Sequence, residues 1–62
     1  MTVIEIQYCR NLPGLARVSV FIDGKERYLK VSGAVDAVGT ALEWSEREDG
    51  IIVRPEMPFA KA

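Results

Sequence analysis

The sequence predicts an α+β domain: a three-stranded antiparallel meander with one helix packed on one face and a short fourth strand, in the order β-β-β-α-β. Three observations predict it. "TVIEIQY" and "VSVFIDGKERYLKV" alternate apolar and polar residues with the period of two that a half-buried strand imposes. Inside the second stretch, Asp23 and Gly24 form a pair that tolerates positive φ and folds a chain back on itself. From Ser32 onward the period becomes helical, and "IIVR" follows as a short apolar run.

In the first strand, Ile4, Ile6 and Tyr8 point one way, and Val3, Glu5, Gln7 and Cys9 the other. "RNLPG" breaks it with Asn11, Pro13 and Gly14. The second strand spans about residues 15–22 and the third about 26–32. Their inner face is read as Val18, Val20, Leu29 and Val31, and their outer face as Ser19, Phe21, Tyr28 and Lys30. A two-residue or a four-residue loop keeps these faces. A three-residue loop pairs core with surface and is rejected.

On a helical wheel, Ala34, Val38, Ala41, Leu42 and Ser45 form the centre of the apolar arc. Val35 borders it on one side, Ala37 and Trp44 on the other. Asp36, Gly39, Thr40, Glu43, Glu46 and Arg47 lie opposite. Ser32 is the expected N-cap and Gly50 the expected terminating residue. "IIVR" does not alternate, so cover on both faces is expected. It runs parallel to the third strand if it joins the same sheet. Pro55 and Pro58 then end regular structure, and residues 55–62 read as a tail that is loose or folded back through Met57 and Phe59.

The 62 residues make one small domain, 1–62. A core of this size rarely supplies more than roughly 3–5 kcal/mol without a staple. With one cysteine and no histidine, neither an internal disulfide nor a zinc site is expected, and no cofactor is implied. A second copy or a bound partner is the expected source of extra stability. The start has no basic segment followed by a long apolar run, and no stretch approaches a membrane span. A lone thiol fits a reducing compartment, so a cytoplasmic location is expected.

The net charge of −1 is unevenly spread. Residues 1–33 hold five cations against three acids. Residues 34–49 hold five acids, Asp36, Glu43, Glu46, Glu48 and Asp49, against Arg47 alone. Without histidine the commonest general base is missing, and no nucleophile elbow or phosphate-binding loop is present. Cys9 beside Arg10 is the pattern of an activated thiolate, but a small apolar strand residue explains it better. Glu43 and Glu46 sit one turn apart, yet no other ligand type closes a metal site. The expectation is a non-enzyme.

Two features break local rules. Arg17, Phe21, Tyr28 and Lys30 put aromatics and like charges on the outer hairpin face, which marks either a surface covered by a second subunit or by the tail, or a stacking platform for single-stranded RNA or DNA. Glu46, Glu48 and Asp49 crowd a helix C-terminus whose dipole favours cations. Together with Glu43 they read as a partner-binding patch for a basic protein surface, and Arg47 is placed to pair with Glu43 at i, i+4.

"RNLPG", "VSV", "DGK" and a helix ending "LEW" follow one another at spacings that resemble small phage anti-CRISPR proteins, nearest to one directed at type I-F systems. The likeness covers about residues 3–44. It implies a non-catalytic inhibitor that binds CRISPR effector proteins, cytosolic in the infected host and often dimeric. The matched positions are turn and core residues, so no interaction residue carries over.

Overall fold

The computed structural model describes residues 1–55, 58 and 59. The chain forms β1 (Thr2–Tyr8), β2 (Leu15–Ile22), β3 (Lys25–Gly33), α1 (Ala34–Glu48) and β4 (Ile51–Val53), in the expected order. One mixed sheet carries all four strands in the spatial order β3-β2-β1-β4. β1, β2 and β3 are the antiparallel meander. β4 runs parallel to β1, with Ile4 opposite Ile52, so α1 crosses from one sheet edge to the other.

The hairpin departs from the expected faces. Asp23 (φ 52) and Gly24 (φ 83) make the two-residue turn, both with positive φ as a type I′ turn requires. Next to the turn Ile22 pairs with Lys25 and Phe21 with Glu26. The register then slips: Val20 pairs with Tyr28, leaving Arg27 as the extra residue of a β-bulge. Beyond it Val18 faces Lys30, Ser19 faces Leu29 and Arg17 faces Val31. Residues directly opposite share a face, so the bulge turns β3 over relative to the reading above. Tyr28 and Lys30 lie on the helix side with Val18 and Val20. Leu29 and Val31 lie on the outer side with Arg17, Ser19 and Phe21. Loop length fixes side-chain parity only along an unbroken ladder, and the one inserted residue reverses it.

The core lies between the sheet and α1. Ile4, Ile6, Ala16, Val18, Val20, Ala37 and Ala41 are buried, with Tyr8, Ile22, Ala34 and Trp44 packed at its rim. Small residues on the helix let it sit close to the strands. The helix is turned from its expected orientation: Ala37, Ala41 and Trp44 face inward, while Val38 and Leu42 are exposed and Val35 is 87% exposed. Tyr28, turned to the helix side, meets Trp44 on this inward flank.

Both helix ends differ from the expected caps. Gly33 is the N-cap and supplies no side chain, while the Ala34 N–H donates to the Gly14 carbonyl at 2.7 Å. The turn between β1 and β2 therefore does what Ser32 was expected to do. At the other end Asp49, not Gly50, takes the left-handed conformation (φ 52, ψ 48), and Gly50 N–H donates to Ser45 O at 3.0 Å. Gly50 is needed for space instead. A Cβ there would stand 2.6 Å from Ile4 Cδ1, 2.8 Å from Thr2 Cγ2 and 3.0 Å from Thr2 O. Gly50→Ala is expected to cost about 1–3 kcal/mol through overpacking against β1. A urea unfolding midpoint equal to wild type would show that the β1–β4 edge can open without penalty.

At the hairpin tip the N-terminal ammonium donates to Asp23 Oδ1 at 2.7 Å, and Asp23 N–H donates to Met1 O at 3.0 Å. This hydrogen bond, then the charge itself, holds the Asp23 carboxyl below its ordinary 3.8. A depressed carboxylate pKa stabilises the fold above the ordinary value and loses that contribution as pH falls through the lower folded value. Both groups are exposed, so the effect is small. The tail folds back through Phe59, whose backbone bridges Cys9 in parallel and accepts from Arg10 N–H at 2.9 Å. Met57 lies outside the described residues.

Candidate functional site

The β3 bulge assembles the most distinctive surface of the chain. By turning Tyr28 to the helix side, it sets that ring against Trp44 of α1, with centroids 6.0 Å apart and planes inclined at 46°. Offset or tilted aromatic pairs at this separation are mutually attractive. Between the rings and the last helical turns lies a cleft of about 160 Å³ lined by Tyr28, Trp44, Arg47 and Glu48. Tyr28 is half exposed, so the cleft has an apolar wall open to solvent.

The charges around it are partly neutralised. Arg47 Nη2 donates to Glu43 Oε1 at 2.7 Å, the i, i+4 pair expected from the sequence. The two side chains are about two-thirds exposed, so the pair adds only a few tenths of a kcal/mol, but it does commit the Arg47 charge. Glu48 carries no ion pair or side-chain hydrogen bond among the described residues. Glu46 is exposed on the far side of the helix from Trp44, and Asp49 is exposed in the left-handed cap. Of the four acids expected to bind a partner, Glu48 lines the aromatic cleft, Glu43 is paired with the Arg47 that lines it, and Glu46 and Asp49 lie outside it.

The four residues expected to share the outer hairpin face do not share it. Arg17 and Phe21 are on the outer side, Tyr28 and Lys30 on the helix side. The like-charge confrontation of Arg17 with Lys30 is absent: Arg17 sits opposite Val31, and Lys30 opposite Val18. Arg17 is committed elsewhere. Its Nε donates to Gln7 Oε1 at 3.1 Å, its Nη2 donates to the same oxygen, and its guanidinium lies 4.6 Å from the centroid of Phe59. The physical cause is the bulge at Arg27, which reverses side-chain parity in β3 but not in β2.

The outer sheet face is broadly apolar. Leu29 (53% exposed) and Ile51 (57% exposed) flank the more covered Val3, Phe21 and Val53, around a polar row of Glu5 and Ser19. Cys9 is buried, and its Sγ donates to Asn11 Oδ1 at 3.0 Å, the setting of a packed small residue. A second, more open cleft of about 370 Å³ lies at the tail, lined by Tyr8, Arg54, Pro55 and Pro58, with Arg54 over the Tyr8 ring at 5.2 Å.

Trp44 and Arg47 join a site to which pattern reading had not assigned them. The only sequence signal was the position of Trp44 at the border of the apolar arc, a common place for a core residue. No family model matches the chain, and neither a curated protein nor a solved structure matches it.

Proposed function

We propose that this chain is a small non-catalytic interaction protein that docks the β3–α1 cleft and its acidic helix end onto a basic protein surface of a nucleic-acid-processing complex, and inhibits that complex by occupying the surface. The observation that carries the reading is the Tyr28–Trp44 pair, partly exposed beside Glu48 and the Arg47–Glu43 ion pair. Protein interfaces draw most of their affinity from a few aromatic and arginine anchors that become fully desolvated, and charges at the rim set partner choice and rate of approach. Both parts are present here at one end of the helix. The anti-CRISPR likeness names the class of complex: a type I-F effector in the cytosol of an infected host.

The test is to mix the purified chain with a purified type I-F effector complex and follow target-DNA binding. Inhibition is expected, with affinity that falls steeply as salt screens the acidic end. Glu46→Lys combined with Asp49→Lys is expected to weaken binding by about tenfold or more at low ionic strength, because a favourable charge contact becomes repulsive. Undiminished affinity would remove the acidic end from the interface. Absence of any binding would remove the inhibitor reading.

A further inference from the structure

The cleft between β3 and the last turns of α1 has two aromatic walls and one uncommitted carboxylate. We propose that it receives a single basic side chain, arginine in preference to lysine, presented by the partner. The inference rests on the interaction reading above and supplies the chemical group that reading leaves open.

Size, shape and charge each point to this occupant. The cleft is small, about 160 Å³, a size that suits the end of one side chain. The Tyr28 and Trp44 rings, 6.0 Å apart and inclined at 46°, touch each other, so a planar cation packs against the solvent-facing side of the pair and not between the rings. Cations are attracted to aromatic faces within about 6 Å of the centroid, most strongly by tryptophan. A planar guanidinium also stacks, which an ammonium does not.

The charge balance favours a positive guest. Arg47 lines the cleft but is tied to Glu43 at 2.7 Å, so that pair is neutral. Glu48 lines the same space with no partner among the described residues, and its carboxylate is free to accept from an incoming N–H. Lys30, on the same side of β3, lies two residues nearer the start of the helix, away from Glu48. Asp49, next to Glu48 in the left-handed cap, adds a further negative charge at this end of the helix.

Trp44 is the only tryptophan in the chain, so its fluorescence reports on the cleft directly. The probes are N-acetyl-arginine amide, its lysine and norleucine counterparts, and the glutamate counterpart, titrated into the intact chain to tens of millimolar. A saturable change is expected with arginine, a weaker one with lysine, and none with norleucine or glutamate. N-acetyl-tryptophan amide in parallel identifies collisional quenching, which does not saturate. Glu48→Gln is expected to weaken the arginine response by about tenfold with an unchanged far-UV spectrum. Asp36→Asn, which removes an exposed charge in the first turn of α1, is expected to leave the response intact. Three results overturn the assignment: no saturable change with arginine, an equal response to norleucine or glutamate, or full retention in Glu48→Gln. No effector complex enters this experiment, so a positive titration beside a failed inhibition assay would leave the cleft assignment standing and discard the inhibitor reading alone.

Discussion

Ile4→Ala is expected to lower stability by about 2–5 kcal/mol, which in a domain of this size removes most of the folded population. Ile4 has no exposed surface and occupies the crossing point of the architecture. On β1 it faces Val20 of β2 on one side and Ile52 of β4 on the other. The helix residues buried in the same core, Ala37 and Ala41, are too small to fill a void. Truncation therefore combines lost apolar burial with an unfilled cavity. Ile4→Val, which keeps the branch, is expected to cost about 0.5–1.5 kcal/mol and calibrates the series. Urea unfolding followed by far-UV circular dichroism measures both. If Ile4→Ala unfolded at the wild-type midpoint, the core would have to be centred elsewhere.

Tyr28→Ala and Phe21→Ala are expected to behave oppositely, because the bulge places their rings on opposite sides of the sheet. Tyr28→Ala uncovers Trp44, whose emission is expected to shift to the red. It also removes one wall of the cleft, with a loss of partner affinity of about 2 kcal/mol or more, roughly thirtyfold. Phe21→Ala, on the outer side, is expected to leave Trp44 emission unchanged. Should Phe21→Ala move the emission while Tyr28→Ala does not, β3 would be paired without its bulge and the cleft would not exist.

The element order, the hairpin turn and the inner face of β2 were legible in the primary structure, since each depends on neighbours a few residues away. Alternation in "TVIEIQY" is enough to bury Ile4 and Ile6. Positive φ at Asp23 and Gly24 follows from residue type. The i, i+4 pair of Glu43 with Arg47 follows from helical geometry alone. The parity of β3 was not legible. "RYLKV" alternates equally well with either face inward, and a single bulged residue selects between them. The helix wheel erred for a related reason. Val38 and Leu42 are more apolar than Ala37 and Ala41, but the close approach of helix to sheet favours small residues at the contact and sends the larger ones to the flank.

The candidate site shows the same division. An acidic helix end and an aromatic hairpin were each visible as one-dimensional patterns, with nothing to connect them. Only the fold brings Tyr28 out of the hairpin surface and against Trp44, so that aromatic and acidic groups become one cleft while Arg17 and Phe21 go to the other side. Local propensities acting over a few residues fix what each segment becomes. Which faces meet depends on register and packing between segments distant along the chain, and those are set by the fit of the whole sheet against its helix.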